Sequence, residues 1–317
     1  MFTIRPFTET DADYTLMTTI YAAALPEQAR TAAEWRHNDE LLDPRYPYRR
    51  DLIEWNGQVI AYGEYGQHSE HYHPQKYFFY FFADSNTEHP AVRKFYFDHV
   101  LATLAEHNPI AITSGTLENK PLSIAFLIEQ GFQEIMRESI SRLDLVTFDS
   151  AQFAGVAQRV RAGGIQITSV AELGEYDPDY QSKLYELEWE LIQDVPNTEP
   201  PQKLPLEEFV KRIFEDPNFI PEAYLVALDG DRYVGQTTLR RMQADNECYW
   251  TGLTGVTRSH RRRGIALALK LRNIDYARQQ GAWFIETANE ENNPMLQINL
   301  RLGFQPQPAW IEFEKSL

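Results

Sequence analysis

The stretch Thr254–Leu271, TGVTRSHRRRGIALALKL, joins a predicted strand to a predicted helix and decides how the second half of the chain folds. It gathers four arginines and a histidine around Gly264 and then becomes apolar. A strand that leads through a glycine-bearing turn into a helix exposes unpaired backbone N–H groups at the positive end of the helix dipole. Neighbouring guanidinium groups add charge and paired donors, so this corner is typical of a phosphate or pyrophosphate site.

The basic run matches neither of two common nucleotide-binding motifs. The Gly-Lys-Ser/Thr ending of a P-loop and the Gly-x-Gly-x-x-Gly pattern of dinucleotide sites are both absent. A surface basic patch for targeting or for nucleic acid stays open, but the net charge of -16 argues against a general nucleic-acid binder. The position between a strand and a glycine-opened helix favours a specific anion site.

Length and composition predict a two-domain globular chain. Its 317 residues are 43% hydrophobic and 13% aromatic, which is enough to build cores. No apolar run approaches the roughly 20 residues that cross a bilayer, and the first residues lack a signal peptide's apolar stretch. Cys248 is the only cysteine. We therefore expect a cytoplasmic protein with no membrane partner, either a monomer or a homodimer.

A long internal repeat indicates that the chain arose by duplication. Residues 109–145 and 282–317 each show a strand, a polar turn with asparagine, a helix ending in Gly-Phe and a closing strand. The matched pairs are Ile112 with Ile285, Asn119 with Asn292, and Gly131-Phe132 with Gly303-Phe304. We predict a first domain over residues 1–148, a linker helix over 149–164 and a second domain over 165–317.

The predicted fold class is α+β, with two tandem domains that each contain a mixed, mostly antiparallel sheet flanked by helices. In the second copy a first strand precedes two helices separated by a Pro-rich loop. A hairpin turning at Asp229-Gly230 and the strand that ends at Val256 come next. The helix after the arginines ends at Gly281, and a strand, an Asn-rich turn, a last helix and a closing strand complete the copy.

The stretch Arg261–Ala266 resembles the Arg/Gln-x-x-Gly-x-Gly/Ala motif of the GNAT superfamily of acetyl-CoA-dependent N-acetyltransferases. The segment NNPMLQINLRLGF is similar to that superfamily's Asn-containing final helix. The resemblance covers residues 165–317 well. It extends to the first half through strand order, the opening FTIRPFTETDADY and the Gly-Phe ending, an arrangement similar to single-chain tandem members.

The resemblance implies acetyl-CoA as co-substrate and no metal. Backbone N–H groups from Arg262 to Leu267 would hold the pyrophosphate, and the N–H near Val256 would polarise the thioester carbonyl. The pantetheine arm would lie beside Asn292, between the strand that ends at Val256 and the strand AWFIETA. The implied cofactor residues are Val256, Arg261, Arg262, Arg263, Gly264, Ile265, Ala266, Leu267 and Asn292.

The first copy differs at the corresponding corner. A shift of 173 positions places Glu88 opposite Arg261 and Ala91 opposite Gly264, and Pro90 removes an N–H nearby. A carboxylate at this point repels a pyrophosphate. We expect the first copy to have lost coenzyme A binding and the second copy to be catalytic.

The resemblance implies that a catalytic base would lie on the strand before Val256, where such proteins commonly have one. Glu247 and Tyr249 are predicted to face one side of it, with Glu247 as a base; a solvated strand end and a packing tyrosine are the alternatives. The position at which the superfamily usually has an acidic tyrosine is Asn299, which cannot donate a proton as an acid. The general acid is therefore not identified.

The helix YELEWELIQDVP is predicted to form the acceptor site. It contains Trp189, Glu190 and Asp194, with Glu188 beside them. Acidic side chains next to an aromatic ring suit an amine, although a solvated helix face with a core tryptophan is the alternative.

The predicted function is direct acetyl transfer from acetyl-CoA to the amine of a small molecule or peptide, because Cys248 has no histidine positioned in sequence to activate it. A non-catalytic coenzyme A-binding protein and an acyltransferase for another acyl-CoA are the alternatives. His68, His71 and His73 are expected in an exposed hairpin loop and not in a metal site.

Overall fold

The computed structural model describes residues 1–84 and 89–317 and divides into two compact units. The first unit comprises Met1–Arg137, Thr198–Gln202 and Pro308–Leu317, and the second comprises Glu138–Asn197 and Lys203–Gln307. In the described part of the chain, no helix is long and apolar enough to cross a membrane.

The first half of the chain contributes nine regular elements to the first unit, among the residues described there. They are β1 (Phe2–Pro6), α1 (Asp11–Ala24), α2 (Ala32–Glu40), β2 (Tyr48–Trp55), β3 (Gln58–Gly66), β4 (Lys76–Ala83), α3 (Val92–Leu104), β5 (Ala111–Leu117) and α4 (Pro121–Glu129).

The elements that follow belong mainly to the second unit. They are β6 (Gln133–Asp144), α5 (Val156–Ala162), β7 (Ile165–Ser169), α6 (Val170–Tyr176), α7 (Tyr180–Ile192), α8 (Leu206–Phe214), β8 (Leu225–Asp229), β9 (Arg232–Arg241), β10 (Cys248–Val256), α9 (Ile265–Gln279), β11 (Phe284–Glu290), α10 (Pro294–Leu302) and β12 (Gln305–Pro306). The last strand, β13 (Trp310–Ser316), returns to the first unit.

Each unit contains a mixed, mostly antiparallel sheet, which confirms the predicted α+β class. In the first unit the strand order is β1-β2-β3-β4-β5-β13, and β4 and β5 are parallel. In the second unit the order is β7-β8-β9-β10-β11-β6, with β12 beside β6, and β10 and β11 are parallel.

The two closing strands do not follow the predicted domain boundaries. The last strand, β13, pairs antiparallel with β5 of the first unit, whereas β6 pairs with β11 of the second unit. Residues 198–202 of the Pro-rich loop also belong to the first unit. The contiguous division at residues 148 and 165 therefore does not coincide with the compact units. Strand edges pair through backbone groups that all residues except proline carry in full, so the sequence pattern does not specify which sheet a closing strand joins.

The predicted linker helix is shorter than expected and belongs to the second unit. Gly155, with a φ of +80°, starts α5, and a separate 3₁₀ turn precedes it at Ala151–Phe153. Val156 and Val160 are buried in the core of the second unit. The segment over residues 149–164 therefore contributes to packing and does not act as a free connector.

Alternation along β8 explains why the second sheet is covered on both faces. Leu225 and Ala227 lie in the core shared with α5 and α9, while Val226 and Leu228 lie in the core shared with α6, α7 and α8. Successive residues of a strand point to opposite faces, so four consecutive apolar residues supply both cores. The predicted hairpin is confirmed at Gly230, whose φ is +60°.

Lys270 places an amino group inside the apolar face of α9. Its side chain is 3% exposed, and Nζ lies 5.8 Å from the centre of the Phe304 ring. Burial lowers the pKa of Lys270 to about 7, because the low-dielectric interior disfavours the charged ammonium.

We predict that the free energy of unfolding of the unaltered protein rises between about pH 7 and about pH 10.4, and that Lys270→Met abolishes this rise. Above about pH 7 the native protein releases the Lys270 proton that the unfolded chain retains up to about pH 10.4, so the free energy of unfolding of the unaltered protein rises across that interval. Urea denaturation at several pH values measures it. Lys211→Met, on exposed α8 surface, should preserve the rise. If the free energy of unfolding depended on pH in the same way for the unaltered protein and for Lys270→Met, the lowered pKa of Lys270 would be contradicted.

Candidate active site

The corner between β10 and α9 has the predicted geometry of an anion site. Gly264 occupies the N-cap of α9 with a φ of +81°, and no side chain caps this end. Glycine avoids the roughly 1–2 kcal/mol that another residue pays in the left-handed region. The first N–H groups of α9 have no acceptor within the helix. A Cβ at Gly264 would meet only Val160 Cγ2, at 3.7 Å, so the surface above the glycine is open.

Arg261 ties this arginine loop, residues 257–264, to the end of α7. Its Nε donates to the carbonyl oxygen of Val256 at 3.0 Å, and its Nη2 pairs with Asp194. Arg258 pairs with the same carboxylate, with Nε 3.1 Å from Oδ1. Hydrogen bonds from Arg258 and then from Arg261 lower the pKa of Asp194 to about 2. The guanidinium of Arg261 therefore positions the loop.

The other two arginines of the predicted cofactor set have different surroundings. Arg263 Nη2 donates to the carbonyl oxygen of Gly163 at 2.6 Å, which fastens the loop to the end of α5. Arg262 is exposed and has a φ of +60°. Within the described residues, Arg262 is the member of the run whose side chain has no hydrogen bond or ion pair to protein, so its charge is available to an anion.

His260 links the arginine loop to Asp229 at the end of β8, a role that the sequence analysis missed. The residue is 8% exposed, and Nε2 lies 3.0 Å from Asp229 Oδ2. Nδ1 lies 3.1 Å from Thr257 Oγ1 and 2.8 Å from Ser259 Oγ. The only sequence signal is the position of the histidine between two arginines, which does not distinguish a supporting ring from a ligand.

A cavity of about 460 Å³ opens above the loop. Its lining comes from the end of α7, the end of β10, the arginine loop with the first turn of α9, and one face of α10. The lining residues are Leu191, Asp194, Val195, Leu253, Thr254, Gly255, Val256, His260, Arg261, Arg262, Gly264, Ile265, Ala266, Leu267, Asn293, Pro294, Met295, Ile298 and Arg301. Seven of the nine predicted cofactor residues therefore lie together, and Arg263 and Asn292 lie outside the lining.

The strands β10 and β11 part beside this cavity. They pair in parallel only from Cys248 to Trp250, although β10 continues to Val256 and β11 to Glu290. A register shift between Thr251 and Thr254 on the opposite edge of β10 accompanies the separation. Beyond Trp250 the facing backbone edges no longer pair with each other, which leaves donors and acceptors for an extended, amide-containing ligand.

The predicted catalytic pair lies at the wrong end of β10. Glu247 is an exposed turn residue just before the strand, and Tyr249 is 9% exposed in the core. Nine residues separate Glu247 from Val256, a span of roughly 30 Å along a strand. The predicted base role is therefore corrected: Glu247 is a solvated strand end, and Tyr249 is a packing residue.

The structure separates the predicted acceptor residues. Trp189 is half-buried, with Lys203 Nζ 5.9 Å from its ring, and Glu190 is exposed. Asp194 lies beyond the end of α7, and both its carboxylate oxygens accept from arginines of the loop. An amine at Asp194 would have to displace those guanidinium groups, so the geometry supports a loop-positioning role for this residue.

In the Asn-rich turn, the asparagine that lines the cavity is Asn293 and not the predicted Asn292. Asn293 lines the cavity and caps α10, accepting from the N–H of Met295 at 2.9 Å. Asn292 is exposed, and its Nδ2 donates to Glu290 at 2.7 Å. Asn299, at the position usually held by a tyrosine, is fully buried and donates to Asn289 Oδ1 at 2.6 Å.

The first unit retains the parting strands but has a different corner. There β4 and β5 pair in parallel only over Lys76–Phe78, and a cavity of about 320 Å³ lies against them. Ala91 caps α3 with a φ of -89°, so no left-handed glycine opens this helix. Glu88 lies outside the described residues. The loss of coenzyme A binding in the first copy stays a prediction.

The described residues contain no group of three or more histidine, cysteine, aspartate or glutamate side chains that could hold a metal ion. In the histidine-rich segment, the ring of His68 packs 4.5 Å from that of Phe78, and His73 Nδ1 accepts from the N–H of Gln75 at 3.2 Å.

Comparisons with known proteins show what the chain is similar to in sequence and in fold. Residues 182–304 match the model of the Acetyltransferase (GNAT) family. A tandem GNAT protein from the clavulanic acid biosynthesis pathway has a TM-score of 0.74 at 17% identity, over 100% of this chain and 98% of its own. A GCN5-related N-acetyltransferase from Sphaerobacter thermophilus has a TM-score of 0.67 at 16% identity, over 99% and 95%. Comparison with curated proteins finds no match.

The chain therefore has the fold of tandem GNAT proteins, and its residues 182–304 match the GNAT acetyltransferase family.

We predict that Asp194→Asn weakens coenzyme A binding about tenfold or less and leaves the KM for the acceptor unchanged, because the neutral amide no longer holds the two arginines in place. Calorimetry with coenzyme A and steady-state kinetics measure the two effects. A raised acceptor KM with unaltered coenzyme A affinity would instead assign Asp194 to the acceptor site.

Proposed function

We propose that the second unit is an acetyl-CoA-dependent N-acetyltransferase that acts on the amine of a small molecule or peptide in the cytoplasm. One observation carries this proposal: the glycine-opened start of α9 and the end of β10 that has parted from β11 line one cavity. The first offers donors to a diphosphate, and the second offers a backbone edge to an amide-containing arm.

The residues present fit coenzyme A. The N–H groups of Ile265, Ala266 and Leu267 would hold the pyrophosphate, with Arg262 adding a guanidinium. Asn293 and the apolar face of α10 would cover the pantetheine arm. The polarising role of the N–H near Val256 is part of the proposal, since it would stabilise charge that develops on the thioester oxygen.

Direct attack by the amine is favoured over an acyl-enzyme. Cys248 is 2% exposed, and burial raises the pKa of its thiol to about 12, so the nucleophilic thiolate is scarce at neutral pH. Buried Asn299 supplies no acid, but the departing thiol has an ordinary pKa of about 8.5 and leaves without one.

We predict that Gly264→Glu lowers coenzyme A affinity at least about 100-fold. Two unit charges 4 Å apart near a protein surface repel by about 4 kcal/mol. Gly281→Glu is the matched control, because Gly281 has a φ of +79° just beyond the other end of α9 and open space around it. Both variants therefore carry the same backbone penalty. Calorimetry and thermal unfolding compare them.

Equal affinities for Gly264→Glu and Gly281→Glu would overturn the cofactor assignment. Ala91→Glu in the first copy should leave the affinity unaltered, and a loss there would place binding in the first unit.

A screen of amines with acetyl-CoA, in which the release of free thiol is followed, tests catalysis. Binding without thiol release would indicate a non-catalytic protein, and release only with other acyl-CoAs would indicate a different acyl donor.

A further inference from the structure

One face of α7 runs along the cavity, starting from the arginine loop. Asp194, just past the helix, holds the loop, and Leu191 packs on β10, since a Cβ at Gly255 would lie 2.9 Å from Leu191 Cδ1. Glu188 precedes Leu191 by three residues and so shares its face. It lies about 4.5 Å further along the helix axis, away from the loop.

Hydrogen bonds fix the Glu188 carboxylate over the sheet. Its Oε2 accepts from Gln236 Nε2 at 3.0 Å and from the Tyr224 hydroxyl at 3.4 Å. The hydroxyl also lies 3.2 Å from Gln236 Oε1. Burial raises the pKa of Tyr224 well above its usual value, so the phenol remains a neutral donor.

The pairing of β9 with β10 places Glu188, Gln236 and Tyr224 near the end of β10, where β10 no longer pairs with β11. Gln236 on β9 is fully buried and pairs directly with Gly255 of β10, the residue that Leu191 covers. The apolar core around it contains Leu187, Leu191 and Tyr224. The half-buried Glu188 carboxylate therefore lies next to an apolar core, and its partner Gln236 pairs with Gly255, which lines the cavity as Leu191 does. Keeping a charge there costs free energy unless hydrogen bonds compensate it.

We propose that Glu188 is the catalytic base that receives the proton of a cationic amine acceptor, with Gln236 and Tyr224 as positioning residues. This inference rests on the proposed acetyltransferase function. The ammonium gives one proton to the Glu188 carboxylate, and the free amine attacks the thioester carbon. The C–S bond breaks, the sulfur leaves as a thiolate that takes up the second amine proton, and Glu188 returns its proton to solvent.

A pair of small acceptors tests the role. At neutral pH methylamine is protonated and needs a base, whereas hydroxylamine is already neutral. We expect Glu188→Gln to lower kcat/KM at least about 100-fold with methylamine and less than about tenfold with hydroxylamine. Coenzyme A affinity should be unaltered. Glu186→Gln, on the exposed face of the same helix, should keep both activities.

Equal losses with both amines, or no loss with methylamine, would overturn the assignment. If Glu188→Gln does not fold, Glu188→Asp takes its place, because it keeps a carboxylate and should still lose more activity with methylamine than with hydroxylamine. Failure of the unaltered protein to transfer to either amine or to any amine in the acceptor screen would refute the proposed function. Transfer that is insensitive to Glu188 would refute only the base.

Discussion

The left-handed conformation of Gly264 is the constraint on which the second unit's site depends. It turns the chain sharply enough for α9 to begin with its N–H groups facing the cavity, and a side chain there would be strained by roughly 1–2 kcal/mol. Most of the surrounding charge stabilises this turn. Arg258 and Arg261 bind Asp194, and Arg263 binds the carbonyl of Gly163. Three of the four arginines concentrated here therefore hold the loop in place, and Arg262 is exposed with no hydrogen bond or ion pair among the described residues.

The helix α7 organises the site along its length. Asp194 anchors the loop, Leu191 covers Gly255, and Glu188 stands over Gln236 one turn further on. A single helix therefore sets the spacing between the arginine loop and the hydrogen bond of Glu188 to Gln236. Helical periodicity places these residues in a row, because residues three positions apart share a face and lie about 4.5 Å apart along the axis.

The two units show which parts of a duplicated fold are retained. Both keep a parallel strand pair that parts after three residues and a cavity beside it. Their corners differ, because Ala91 adopts an ordinary right-handed conformation where Gly264 is left-handed. Sheet topology depends on apolar alternation along whole strands, whereas an anion site depends on one glycine and its neighbours. The site can therefore change without loss of the sheet.

Sequence alone determined the α+β class, the repeat, the hairpin at Gly230 and the corner at Gly264, because apolar periodicity and glycine placement are local properties. Only the tertiary structure decided that β13 completes the first sheet and β6 the second, since closing strands pair through backbone groups that all residues except proline carry in full. It also removed Glu247 from the site and assigned Asp194 to the loop arginines. The placement of Glu188 beside Gln236 joins residues 48 positions apart, and such contacts depend on packing that no local pattern encodes.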